Sequence, residues 1–218
     1  MVISLCCFFI VLFYNQNLKN ILKIGILGII MLYLFGISGN IRHYYKWNDT
    51  TIMKEIAKIN TSQNLLDPFL WSYVYITSPL GNLQYNFNKI EPSYNKKNFI
   101  YENLLPNTIT EKLRYKKTES KLMTPALTVS TAYINSYLTY GKIGMYISFG
   151  IYILCEIVYL FIIRKTKYYI IGLGLIGMLN ILTIFDNLFI LMGFSFALFY
   201  PVIDIIIDKI KSKKKEKK

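Results

Sequence analysis

The basic residues of this chain gather at the ends of its apolar runs, and that placement limits the folds open to it. Clusters lie at Lys19 and Lys23, at Arg164-Lys165-Thr166-Lys167, and from Lys209 to Lys218. A long polar segment, from Gly39 to about Thr124, separates the first cluster from the second. Short loops rich in lysine and arginine stay on one side of a membrane, whereas long loops cross largely regardless of charge. The pattern predicts an all-α protein: a polytopic transmembrane helical bundle of about five spans, with one long, partly helical extracytoplasmic loop.

Composition agrees. Of 218 residues, 54% are hydrophobic, and mean hydropathy is +0.36, more apolar matter than a soluble core of this size would bury. The net charge of +13 is not the footprint of a nucleic-acid binder, because seven of the lysines form the tail from Lys209 to Lys218. Such a tail after an apolar helix pins the helix end to an anionic cytoplasmic leaflet. Asn, Lys, Ile and Tyr are abundant throughout, in the manner of an AT-rich coding bias, so the scarcer arginines carry more information than the lysines. Cys6 and Cys7 are adjacent and Cys155 lies in another apolar run, which gives no disulfide framework. With a single histidine and no ligand spacing, neither a metal nor any other cofactor is expected.

The expected organisation has two transmembrane helices in residues 1–38 and an extracytoplasmic loop with amphipathic helices in 39–124. An amphipathic helix and three more spans occupy 125–208, and 209–218 is a basic cytoplasmic tail. The spans are Met1–Tyr14, Ile21–Ser38, Ile143–Ile163, Tyr168–Ile184 and Leu188–Ile207, with the amino terminus outside and the carboxy terminus inside the cytoplasmic membrane. The first run is short for a crossing and lacks the marks of a signal peptide. A chain that opens this way is expected to be a fragment, or the carboxy-terminal part of a longer polytopic protein. Within the loop, residues 50–59 read as an amphipathic helix and 67–79 as an interfacial helix. Asn and Pro mark 81–98 as a loop, and 107–121 is weakly helical. Residues 126–141 read as an amphipathic helix leading into the third span, with a bend at Gly141.

Two arginines stand where chemistry on an anionic substrate is possible. Arg42 follows Gly39-Asn40-Ile41 at the outer end of the second span, beside His43 and Tyr44. A guanidinium there can hold a phosphate through two hydrogen bonds, or it can simply snorkel to the headgroups. Arg114 lies in the densest basic stretch of the loop, which otherwise reads as a solvated face. His43 titrates near neutrality and can act as acid or base. Asp186, at the outer turn between spans, can pair with an arginine or accept a proton from a hydroxyl. Glu156, within a span, is a costly charge that suits a partner or a structural hydrogen bond. There is no phosphate-cradling glycine loop, no serine-nucleophile elbow and no kinase or metalloprotease motif, so any substrate must carry its own activation.

Four stretches together resemble the oligosaccharide repeat-unit polymerases of bacterial surface polysaccharide synthesis, the O-antigen polymerase type. They are Gly39-Asn40-Ile41-Arg42, the segment Tyr75–Leu83, the segment Ser130–Gly144, and the turn Phe185-Asp186-Asn187-Leu188-Phe189. The resemblance covers about residues 30–200. Where relatives carry an acid before the Phe-Gly-like turn, Thr139 stands here, and relatives have about twice as many spans. The resemblance implies a glycosyltransferase that uses a polyprenyl-diphosphate donor and makes O-antigen, capsule or exopolysaccharide. Its implied partners are the polyprenyl-diphosphate-linked oligosaccharide, membrane lipids, and flippase and chain-length regulator proteins. It implies catalytic roles for Arg42 and Arg114 in neutralising the departing diphosphate, and for His43 and Asp186 in taking the acceptor's proton. Tyr44, Trp71, Tyr75 and Asn82 would bind substrate, the aromatic rings by stacking on sugar faces.

Three other readings share this layout. A ligase would move finished glycan onto a lipid or protein. A transporter or flippase for such lipids would place its polar residues at mid-membrane, whereas here they lie in a long loop. An inactive truncated remnant would leave the same kind of chain.

Overall fold

Between Lys23 and Arg42 the chain carries no charged residue and no proline, and it forms one helix, α1 (Leu18–Tyr44, 27 residues). The computed structural model describes residues 18–44, 54–55, 67–164 and 166–216, and among them the chain is helical with no strand. The further helices are α2 (Asp67–Lys89), α3 (Lys96–Asn103), α4 (Asn107–Lys112), α5 (Ile134–Ile163), α6 (Tyr169–Leu182) and α7 (Met192–Glu216). Among the described residues two helical stretches, Lys19–Arg42 and Ile134–Ile163, are long and apolar enough to cross a membrane. They contain the second and third expected spans. Helix α6 is apolar, but its 14 residues extend only about 21 Å against a hydrocarbon core of about 30 Å. Helix α7 has 25 residues, and beyond Ile203 it carries Asp204, Asp208 and the basic tail. Met1–Tyr14 lies outside the described residues, as does most of the helix expected at 50–59.

The chain divides into two compact units. One contains α1, α2 and residues 121–131, and the other contains residues 91–120 and everything from Ala132 onward.

In the first unit α1 packs along α2. The sequence predicts an interfacial helix that stops near Pro79, followed by a loop. Instead α2 runs through Pro79 to Lys89. The reason is on the far side of that proline. Asn82 and Asn86, one turn apart, grip the non-helical segment 121–129 with their side chains. Asn82 Nδ2 donates to the carbonyls of Leu127 (2.7 Å) and Val129 (2.8 Å), and its Oδ1 accepts from the Met123 amide (2.9 Å). Asn86 donates to the Lys121 carbonyl (2.7 Å) and accepts from its amide (2.9 Å). Residues 126–131 are therefore not the helix their composition suggests, and β-branched Thr128, Val129 and Thr131 suit a non-helical state.

In the second unit Asn95 caps α3, accepting from the Lys97 and Asn98 amides, so residues 96–98 are helix and not loop. Helix α4 ends at Lys112, short of the expected 121. Helix α5 bends sharply at Tyr140 and Gly141, the expected place, with Gly141 at φ +67°. A side chain there would be strained and would press on Tyr94 and Pro92. The bend folds the first two turns back. Ser136 Oγ and Ser148 Oγ lie 2.7 Å apart, whereas twelve residues of straight helix would separate them by about 18 Å. The carbonyls of Leu138 and Thr139, released by the bend, accept instead from the amides of Ser93 and Asn95, both at 2.9 Å. Helix α6 returns along α5 with Gly172 against Ile163 and Tyr159, and α7 completes the unit.

Candidate functional site

The Gly39-Asn40-Ile41-Arg42 stretch divides its labour. Gly39 faces the Trp71 indole so closely that a Cβ would lie 2.6 Å from Trp71 Cδ2. Asn40 is buried, and its Oδ1 accepts from Trp71 Nε1 at 2.5 Å. These two residues dock α2 onto α1, and Arg42, half a turn further, is exposed. His43 and Tyr44 come next on the same helix end, and their side chains lie outside the described part of the chain.

Of the residues expected to bind substrate, Trp71 and Asn82 are built into the packing. Trp71 is buried, with its N–H on Asn40, and Asn82 is buried with its amide on residues 123–129. Tyr75 is different. It stacks beside Trp71 at 6.1 Å, meets Phe35 edge-on at 5.4 Å, and stays exposed. Among the described side chains of this group, it is the aromatic surface that remains open to a ligand.

Arg114 and Asp186 belong to the second unit, whereas Arg42, His43 and the four residues Tyr44, Trp71, Tyr75 and Asn82 belong to the first. Arg114 closes α4 in the left-handed region (φ +51°), its amide bonded to the Glu111 carbonyl at 2.9 Å, and its side chain is exposed. A non-glycine residue held there costs about 1–2 kcal/mol, so contacts of the neighbouring residues must hold the turn. Asp186 is exposed at the α6–α7 turn, where its Oδ1 accepts from the Asn187 amide at 2.7 Å. Glu156, the acid inside α5, hydrogen-bonds to the Asn180 side chain of α6.

The residues that follow Arg114 are held by a buried acid, Glu102, that sequence reasoning missed. Glu102, fully buried, accepts at Oε1 from the Tyr115 hydroxyl (2.7 Å), the Thr118 amide (3.1 Å) and the Thr118 hydroxyl (2.7 Å). Burial, together with the hydrogen bond to Glu102, pushes the Tyr115 hydroxyl well above the ordinary tyrosine range. Next to it, Asn103 centres an uncharged network. Ser136 donates to Asn103 Oδ1 (2.7 Å), Asn103 Nδ2 reaches Thr139 Oγ1 (3.3 Å), and Asn187 Nδ2 donates to the Tyr152 hydroxyl (2.6 Å). These partners are 33 to 36 residues apart in sequence, so no local pattern announces them. The one available signal was the Asn95 cap, which places a helix over Glu102 and Asn103.

Chemically the two kinds of group differ. The network has hydroxyls and amides but no cation, so it cannot balance an anion. The exposed arginines can. Among the described residues no cluster of His, Cys, Asp and Glu is arranged to hold a metal ion. Comparison with protein-family models, with curated proteins and with solved structures gives no match.

Proposed function

We propose that this chain polymerises polyprenyl-diphosphate-linked oligosaccharide repeat units into surface polysaccharide on the outer face of a bacterial cytoplasmic membrane. The observation that carries the reading is the layout. Two helices able to cross a membrane bracket a long polar segment, and that segment presents an exposed arginine at the end of the first span and another at a fixed turn. A guanidinium at the headgroup level suits a lipid diphosphate through paired, charge-assisted hydrogen bonds. In this reading the chain is multi-pass, residues 168–184 (α6 with its flanks) and α7 complete the crossings, and the basic tail is cytoplasmic.

The reaction needs little from the protein beyond electrostatics. A hydroxyl of the incoming repeat unit attacks the anomeric carbon of the growing glycan, and the bond from that carbon to the diphosphate breaks. The electron pair leaves with the diphosphate, whose charge a guanidinium, that of Arg42 or of Arg114, neutralises. His43 or Asp186 takes the proton of the attacking hydroxyl. Tyr75 offers a sugar face an aromatic surface. Removing a group that stabilises developing charge typically lowers the rate about 10²–10³-fold.

Deleting the gene is expected to collapse the surface polysaccharide ladder to a single repeat unit, and complementation to restore it. Restoration with Arg42→Ala or Arg114→Ala is expected to leave the ladder collapsed or severely shortened. A normal ladder from the Arg42→Ala chain would remove the central role proposed here. Repeat units that polymerise normally but fail to reach their final acceptor in the deletion strain would point to a ligase instead.

A further inference from the structure

Between Lys142 and Arg164 the only charged residue is Glu156, inside a helix able to cross a membrane. It lies about 12 Å along the axis from Arg164, well within a hydrocarbon core of about 30 Å. Tyr152 and Ser148 come one and two turns earlier, so α5 carries a polar stripe at every fourth position. Each member of the stripe has a partner. Ser148 Oγ lies 2.7 Å from Ser136 Oγ, and the Tyr152 hydroxyl accepts from Asn187 Nδ2 at 2.6 Å. The Asn187 amide donates in turn to the exposed Asp186 carboxylate. Tyr133 bridges the lower end, its ring 6.2 Å from that of Tyr152 and its hydroxyl within the field of Glu156. Polar groups thus run from the exposed α6–α7 turn down to the Glu156 carboxyl.

The groups that face this carboxyl decide its ligand. From α6 it meets the Asn180 amide, and from the segment before α5 the Tyr133 hydroxyl. Helix α6 carries no charged residue, and α7 carries none before Asp204. The nearest lysine of α3 to reach α5, Lys96, lies by Tyr140 and Ile147, more than two turns away. No described cation therefore balances Glu156, and a bare carboxylate in hydrocarbon is costly. A metal ion would need several oxygens, and no described cluster offers them. A proton needs only the carboxyl. Asn180 suits both forms, since its N–H can donate to the carboxylate and its carbonyl can accept from the acid.

We propose that Glu156 is an exchangeable proton-binding site within the membrane, with Asn180 as its partner in both states. On uptake, hydronium gives its proton to the carboxylate and leaves as water, and the carboxyl becomes neutral. On release the carboxylate returns, and the Asn180 amide turns from acceptor to donor. The inference rests on the membrane placement above and not on the glycan chemistry. Glu102 differs in kind, because its Oε1 is held by three donors and the residue is sealed from solvent. Glu156 is only half-buried and has one amide to hold it.

Dicyclohexylcarbodiimide tests this directly, because it is apolar and adds to a carboxyl in its protonated form. The full chain in nanodiscs of dioleoylphosphatidylcholine is treated between about pH 5 and pH 10. Label at Glu156 is located and measured by peptide mass spectrometry, with Glu156→Gln setting the zero. Labelling is expected to fall at least about tenfold across that range along a single-proton curve. Asn180→Leu is expected to move the midpoint by about one pH unit, since the amide bonds the charged form more strongly than the neutral one. Equal labelling at every pH would mean a fixed structural proton, and no labelling at any pH a fixed carboxylate, and either result overturns the proposal. So would slowing by sodium chloride but not by choline chloride, which would assign the site to a metal cation. Extraction of the chain from membranes by alkaline carbonate would overturn the membrane placement and the inference with it.

Discussion

A methyl group at Gly39 has nowhere to go. Trp71 is held by its hydrogen bond to Asn40 and by stacking on Tyr75, so the indole cannot step aside. Gly39→Ala is expected to destabilise the α1–α2 pair by about 1–3 kcal/mol, the usual range for overpacking. Gly25→Ala, with open space around it, is expected to cause no loss. Thermal unfolding followed by tryptophan fluorescence checks both, and equal behaviour would mean that the indole does not rest on Gly39. Tyr115 gives a prediction in pH. Its folded pKa is raised from the ordinary 10.0, by burial first and then by Glu102, so the folded state holds the phenolic proton longer than the unfolded state does. That stabilising contribution is complete below pH 10 and declines as pH rises past it. Tyr115→Phe is expected to flatten the alkaline loss of stability. A phenolate difference titration at 295 nm should show one fewer late-titrating tyrosine. At this scale the sequence marked Gly39, Arg42 and Gly141 as special from their positions. It could not distinguish the tyrosine that meets Glu102 from eighteen others, because that depends on a partner thirteen residues away.

Helix α2 outlasts its proline because two asparagines find work beyond it. Pro79 removes one backbone donor and the Asn-rich sequence after it resembles a loop, so local propensity argues for a stop. Tertiary hydrogen bonds to 121–129 decide otherwise. Asn82→Ala is expected to leave the Met123 amide and the Leu127 and Val129 carbonyls without their partner, at about 1–3 kcal/mol for each group that stays buried. Limited trypsinolysis after Lys121 should then be at least about tenfold faster, since about 1.4 kcal/mol corresponds to a factor of ten in local opening. An unchanged cleavage rate would mean that the segment is held by something else. Apolar helices behave differently. The runs at Ile21–Ser38 and Ile143–Ile163 are legible because length and continuous hydrophobicity are local properties. The helices of the polar segment are not, because their faces are completed by distant side chains.

For the whole molecule, the testable statement is orientation. Alkaline phosphatase fused after Ser120 is expected to be active, and fused after Thr166 or Lys214 inactive, since the enzyme folds only outside the cytoplasm. The reverse pattern would place the arginines on the cytoplasmic side and end the proposed reaction. The loop between the candidate spans is also no passive connector. Buried Asn82, Asn86 and Glu102 tie its non-helical parts to helices.

By itself the sequence determined the all-helical character, the two apolar helices able to cross a membrane and the bend at Gly141. These come from hydropathy, charge and the conformational range of glycine, which are properties of neighbouring residues. Only the tertiary structure decided that α2 continues past Pro79, that residues 126–131 are not helical and that Trp71 and Asn82 are built into the packing. Each of these depends on a hydrogen bond or a close contact between residues far apart in the chain, and such pairs exist only once the helices have met.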